Sequence, residues 1–385
     1  MLDRLFQDPK LSKLGKGGRE LVLSFAEALG QAGTPQGGTS IANPAIRELI
    51  ARSQPTLGDV HVSTELSNLS IAYIQERGQF LAGSTGVFGT AKESGFYTEY
   101  DRGDMFRITP DDAIRAPGSE SAGSGFKVKQ TSSYTVQVYS YHKDVDEQLM
   151  AQQSVGDPVD DAVGYVTQIL LILREIVWDA NIMTTGWGLD KEGVSTGETG
   201  DQFRQWNDAA STPRRDIGAQ AVRIHSVTGF WPNTFVVQPN VLLELLLHAD
   251  VVDAFKHTTA GATPTLDALA ATLVPPSISG GGAPRMAIAG GVKTTSKEGA
   301  TDAFDYITGK QALLAYVDPN PGLKTPTAWI NFAWTSLLGS NAFGFRMKDL
   351  QDEFKAIPHR IEGDAAFDIK RVAPALGTHF RTAVA

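Results

Sequence analysis

The side chains best able to hold a metal or relay a proton are seven histidines, His61, His142, His225, His248, His257, His359 and His379. None of them makes the H-E-x-x-H pattern or another tight ligand spacing. His248 and Asp250 flank a helix junction, where capping a helix end is the simpler role, and His142-Lys143-Asp144 closes a strand at a solvated end. Nucleophile patterns are equally poor. Ala82-Gly83-Ser84-Thr85-Gly86 comes nearest to G-x-S-x-G but lacks the following helix that a nucleophile elbow needs, so it reads as a flexible loop. Gly83, Gly86 and Gly89 do not have dinucleotide-fingerprint spacing, and Lys293-Thr294 lacks the glycines of a Walker loop. Of the acidic pairs, Asp160-Asp161 suits the positive end of a helix and Asp111-Asp112 a polar tip. Phe96, Tyr97 and Tyr100 beside Arg102 could stack on bases, but acids of similar number sit among them. With no cysteine, disulfides, thiolate zinc sites and Cys nucleophiles are excluded. The reading is a non-enzyme with no cofactor and no metal.

The 385 residues suffice for two or three units of ~150 residues, and 42% hydrophobic with 20% charged residues is an ordinary globular balance. A net charge of -9 argues against gripping nucleic acid by its backbone, which takes clustered Lys and Arg. The opening MLDRLFQDPK carries no basic-then-apolar leader pattern. The apolar run at 169–173 is far below the ~18–20 residues of a membrane span. A soluble product made in a cytoplasm is expected.

The elements that must position any function begin with an arm at 1–57. Short helices are predicted at 20–29 and from Asn43-Pro44 to Pro55, and residues 1–52 carry seven bases against five acids. A Gly-rich approach follows at 83–95. Outgoing strands are predicted at 96–100 and 105–108, a long polar tip at 110–125, and a return strand at 126–143 with Phe126, Val128, Tyr134, Val136 and Val138 in period two. Between Ser94 and Gln130 six acids and five bases are interspersed on this ribbon, which alone would be marginally stable. Asp157 and Pro158 then start a helix of roughly 28 residues. Its predicted stripe is Val159, Val163, Val166, Leu170, Leu173, Val177 and Ala180, and Gly186 is its terminator. After a polar loop at 189–212 the pattern becomes α/β. Helices are predicted at 214–228 (Ile217, Ala221 and Ile224 inward), 240–248, 250–256 and 264–273, and strands at 234–238, 285–289, 312–317 and 328–332. The tail is extended at 343–347, 356–362 and 366–372.

Arm, charged hairpin, long helix, central α/β unit and returning β tail, in this order, resemble the major capsid proteins of tailed phages. Those proteins have the Hong Kong 97 type fold that encapsulin shells also use. The wording is similar too. Asn233-Thr234-Phe235-Val236-Val237-Gln238-Pro239, followed by a Leu-rich helix and 248–255, is similar to the centre of that family's axial domain. The segment RIEGDAAFDIKRVAP at 360–374 resembles the strands that close its peripheral domain. The resemblance covers roughly 58–385 and implies an α+β fold. Its parts would be an N-terminal arm (1–57), the start of a peripheral domain (58–93), an extended β-hairpin loop (94–130), the peripheral domain with its spine helix (131–213), an axial α/β domain (214–332) and a return to the peripheral domain (333–385).

The resemblance implies a structural protein that self-assembles into pentamers and hexamers of an icosahedral virion shell. The shell would enclose double-stranded DNA without sequence-specific binding, and would be built in a bacterial host's cytoplasm with no membrane. The extended loop would lie over a neighbouring subunit through Arg102, Asp104, Arg107, Asp111, Asp112, Arg115, Glu120, Lys127 and Lys129. Single exposed salt bridges contribute little, but alternating charges draped on a neighbour can form a partly desolvated network. Gly-rich hinges at 83–95 and 118–125 would let one sequence take different angles. Lys127 and Lys129 are the nominal cross-linking lysines, and no cross-link is expected. The arm is too short for a full scaffold domain, so a separate scaffolding protein is expected, with a portal and a decoration protein as further partners. The alternatives are an encapsulin-like compartment, disfavoured by the arm and the length, and a carboxylate-dependent hydrolase using Asp and Glu around the α/β unit.

Overall fold

The long helix is fixed first by its start. Asp157 Oδ1 accepts from the Val159 N–H at 2.9 Å and Pro158 takes the first helical position, where its missing N–H would have no partner anyway. The computed structural model describes residues 80–83, 86–115, 117–146, 157–255, 264–279, 282–322, 325–338, 345–350 and 359–385. The arm at 1–57 and its two predicted helices lie outside them.

The strands are β1 (Val87–Thr90), β2 (Ser94–Tyr100), β3 (Val128–Thr135), β4 (Gln137–Val145), β5 (Leu189–Val194), β6 (Gln202–Arg204), β7 (Thr234–Val237) and β8 (Arg285–Ile288). They continue with β9 (Val292–Thr294), β10 (Phe304–Tyr306), β11 (Ala312–Ala315), β12 (Trp329–Trp334), β13 (Phe345–Leu350), β14 (His359–Arg371) and β15 (Gly377–Arg381). The main helices are α1 (Pro158–Ile182), α2 (Pro213–Thr228), α3 (Pro239–Leu247), α4 (Ala249–Phe255) and α5 (Leu266–Leu273).

Two sheets organise the chain. The first runs β1-β12-β14-β13, with β4 also on β14. Its 13-residue β14 pairs β4 along 359–367 on one edge, while β13 (along 360–365) and β12 (along 367–371) share the other edge end to end. Helix α1 covers this sheet, burying Val166, Leu170, Leu171, Trp178 and Ile182 with Trp329, Ala365, Phe367 and Ile369. The second sheet runs β6-β5-β15-β11-β7-β8 and is packed by residues of α2 to α5, including Ile217, Ala221, Ile224, Leu245, Val251 and Leu269. Two ribbons, β2-β3 and β9-β10, stand outside both sheets.

Several expectations change. Helix α1 ends at Ile182, not at Gly186, because Arg371 from β14 donates to the carbonyls of Thr184 and Thr185 and holds the chain in a turn. Gly186 still has φ +100, with the Arg371 Nη2 atom 2.9 Å from where a Cβ would sit. Beyond Leu170 the buried stripe follows Arg174, Trp178 and Ile182 rather than Leu173, Val177 and Ala180. Charged Arg174 is the residue that the hydrophobic pattern misplaced.

The run 105–108 is not strand, since Asp101 caps a helical turn at Arg102–Met105. The return strand is two strands broken at Val136. The phase slips there, leaving Val138 47% exposed while Tyr139 stacks on Phe367. The polar loop holds β5 and β6, and the two predicted tail segments 356–362 and 366–372 form one strand. The Gly-rich approach at 83–95 contains β1, paired in parallel with β12. Its glycines are close-approach positions. A Cβ on Gly86 would meet Pro321, and one on Gly89 would lie 2.8 Å from Thr335 Cγ2. β15 was not expected from its polar wording, and it lies at the centre of the second sheet.

Candidate functional site

The projecting ribbon β2-β3 begins as part of the interior. Tyr134 stacks on Phe332 at 4.6 Å and 12°, Tyr97 stacks on it at 5.9 Å, and Phe88 meets it edge-on at 6.0 Å. Val136, Ile330, Leu338 and Ala366 complete this cluster. Backbone bonds tie the same end. The Val136 N–H donates to the Glu93 carbonyl at 2.8 Å, Thr135 N–H to Asp368 Oδ2 at 2.8 Å, and Lys370 Nζ to the Ser133 carbonyl at 2.6 Å. Burial here pushes the Tyr97 hydroxyl above its usual range, against an opposing hydrogen bond with Ser132.

Away from the base the ribbon changes character. The register slips between Tyr97 and Glu99, and past Tyr100 the two chains run on without strand pairing. Tyr100 and Val128 are register partners, and so share a face, and Phe126 packs on Tyr100 at 5.8 Å. That face is open to solvent. Phe96 is 74% exposed, and in the tip Phe106 is 62%, Ile108 78% and Ile114 76% exposed. Met105 is exposed beside them. Sequence reasoning weighed the charges of this ribbon and missed its apolar side chains. The available signal was the dense apolar run Met105-Phe106 with Ile108, in a segment whose neighbours are all polar.

The nine sequence-selected residues all lie on this ribbon but are not gathered into one cluster. Asp104 Oδ2 accepts from the Lys127 N–H at 3.0 Å and Arg115 Nε donates to the Ser119 carbonyl at 2.5 Å, so these two close the tip internally. Among the described residues, Arg102, Arg107, Asp111, Glu120, Lys127 and Lys129 form no side-chain ion pair. Asp112 follows Asp111 in the turn Pro110–Ala113. Gly118, with φ +81, and Gly123 and Gly125 have open space around them, unlike the glycines at 86–95.

A serine and a histidine meet where Ser211 Oγ lies 3.0 Å from His248 Nε2. His248 Nδ1 accepts the Asp250 N–H at 3.2 Å, which puts the ring proton on Nε2. Nε2 then donates, to Ser211 and to the Asp208 carbonyl at 3.1 Å, and cannot take the serine proton. His248 therefore caps the junction ahead of α4. Among the described residues no group of three His, Cys, Asp or Glu could hold a metal ion, and no helix is long and apolar enough to cross a membrane.

No protein-family model and no curated protein matches the sequence. Solved structures do match. A phage-related protein from Bordetella bronchiseptica RB50 superposes with a TM-score of 0.60 at 18% identity, over 84% of this chain and 98% of that one. A virus-like particle from Pyrococcus furiosus gives 0.50 at 11% identity, over 83% and 99%. The capsid of cyanophage P-SCSP1u gives 0.48 at 10%, over 78% and 86%. The chain thus has the mixed α+β fold of the first two of these structures, the Hong Kong 97 type.

Proposed function

We propose that this chain is the structural subunit of a self-assembled icosahedral shell, a major capsid protein whose pentamers and hexamers enclose the double-stranded DNA of a phage. The observation that carries this reading is the ribbon, anchored in the core at its base, with Phe96 exposed on its outer face and Phe106, Ile108 and Ile114 exposed at its tip. Large apolar side chains left in water are the kind of surface that a repeated contact with a second copy would cover. Arg102, Arg107, Asp111, Glu120, Lys127 and Lys129, which form no ion pair among the described residues, then gain partners on the neighbour, as would Asp112, while Asp104 and Arg115 hold the tip in shape. In this reading the peripheral domain (58–93, 131–213 and 333–385) carries α1 and the axial domain (214–332) carries α2 to α5. β12, at the end of the axial range, pairs in the first sheet, and β5, β6 and β15 of the peripheral range pair in the second. A separate scaffolding protein, a portal and a decoration protein are its further partners, and the virion is its place.

Sizing and negative-stain microscopy of the purified full chain test the proposal. Closed particles are expected, and a chain that stays monomeric or dimeric in every condition overturns it. Recovered particles should contain nucleic acid. Particles filled instead with protein cargo would move the reading to an encapsulin-like compartment.

A further inference from the structure

The buried charges of α1 are not used by the ribbon, and they meet the segment that leads into β1. Glu175, almost wholly buried, receives the Ala82 N–H on Oε2 at 2.9 Å, and the Leu81 N–H also faces it. Leu81 and Ala82 are buried in the same core as Trp178. Glu175 Cγ would lie 3.2 Å from a Cβ on Gly291, so the carboxyl sits between the Leu81–Gly83 turn and the entry to β9. Its Oε1 has no partner among the described residues, nor has Asp179 Oδ1 one helical turn on. Two carboxyls spaced i, i+4 on one helix are neighbours.

The groups facing this pair are few. Arg174 comes from the same helix, with its guanidinium 5.8 Å from the Phe367 ring centroid. Lys293 from β9 and the Thr308 hydroxyl face Asp179, and the Leu81–Gly83 turn brings only backbone N–H groups. Burial outweighs these partners and pushes Glu175 up to about 7 and Asp179 to about 6.

We infer that Glu175 and Asp179 form a proton-dependent latch on the Leu81–Gly83 turn, which tightens the attachment of the chain leading into β1 on acidification and loosens it on alkalinisation. Ionised Glu175 is the stronger acceptor for the Ala82 N–H, but its charge is buried with Oε1 lacking a partner among the described residues. Opening the turn to water relieves that cost, which the neutral carboxyl does not carry. The ionised one leaves that oxygen bare in a buried site beside a second carboxyl. The folded pKa lies above the ordinary 4.5, so the latch is strongest below about 4.5 and weakens until pH passes about 7.

Amide hydrogen exchange of residues 81–83 in the purified full chain, corrected for the intrinsic pH dependence of exchange, tests this. Protection should fall about tenfold between pH 6 and 8, the ratio that a shift from 4.5 to about 7 gives by linkage. Glu175→Gln, which keeps the acceptor without the charge, should hold protection level across that range. Asp179→Asn, a second variant should the first not fold, removes the neighbouring charge and should move the wild-type transition to lower pH. Protection that is flat with pH in the wild type, or variants that keep the wild-type profile, overturn the latch. Neither outcome depends on whether the chain assembles.

Discussion

The base of the ribbon, where β2 pairs β3, and the tip that joins them solve opposite problems. At the base three aromatics converge on a fourth: Tyr97, Tyr134 and Phe88 all close on Phe332, and Asp368 and Lys370 bind the backbone of β3. At the tip Phe106, Ile108 and Ile114 are mostly in water and the charged side chains lack ion-pair partners among the described residues. The difference separates two kinds of sequence content. What the base encodes is complete within one chain, whereas the tip leaves side chains that, on the proposed shell reading, a neighbouring copy would cover.

The sharpest way to break that contrast is to remove the base. Phe332→Ala takes out the ring on which three aromatics converge, and truncating a buried Phe costs about 3–5 kcal/mol. Urea denaturation of the unassembled chain should show that loss in the midpoint. A midpoint within error of wild type would mean the ribbon is not anchored through Phe332.

Acid offers a second probe, because it acts on what is buried. His379 in β15 lies in the centre of the second sheet, with Nε2 2.9 Å from Gln311 Oε1 and Asp190 Oδ1 4.0 Å from Nδ1. Burial lowers its pKa from 6.5 to about 4. The folded value is the depressed one, so its contribution is whole above about 6.5 and is lost as pH falls toward 4, a difference of about 3 kcal/mol. His379→Gln should flatten the stability profile between pH 6.5 and 4.5 relative to wild type. An unchanged slope would show that His379 is not the linked group.

A smaller effect is expected at the edge of the base. Asp368→Ala removes the charged acceptor of the Thr135 N–H and the ion-pair partner of Lys370 at 3.5 Å, a loss of about 1.5 kcal/mol for a charge-assisted bond. Hydrogen exchange at Thr135 should rise in this variant while the amides of α1 keep their protection. Equal loosening of both would mean that the base and the spine helix open as one unit.

How far the sequence reveals this arrangement follows the same division. Helix α1 was legible at its start because Asp157 and Pro158 are local signals, and α2 because Ile217, Ala221 and Ile224 repeat on one face. Its later half was misread because Arg174 and Glu175 occupy buried positions that only tertiary partners make tolerable: Phe367 under the guanidinium, Ala82 on the carboxyl. β15 was invisible since Gly-Thr-His-Phe-Arg carries one large apolar residue, although Thr378 and His379 are buried between β5 and β11. The ribbon itself was legible as an element, from charges and period two along β3. Its apolar tip was not, because Met105, Phe106, Ile108 and Ile114 follow no period of strand or helix across a turn.

The smallest expected change in the subunit is the most telling for the tip. Phe106→Ser combined with Ile108→Ser replaces two of the most exposed apolar side chains, so nothing inside the chain is uncovered. Exposed substitutions of this kind usually stay within about 0.5 kcal/mol, and the urea midpoint should not move beyond that. If the chain forms the proposed shell, assembly should respond very differently, with particle yield in sizing falling to a small fraction of wild type, because apolar contact area is what the tip would offer a neighbour. Converting Lys127→Glu in the same background should add little to the loss at high salt, where exposed charge pairs are screened. Should the double variant assemble as wild type does while Lys127→Glu alone blocks assembly, the ribbon's charges rather than its apolar face would hold the shell together. A drop in the midpoint would mean instead that the tip folds back on its own chain, and the distinction between base and tip would fail.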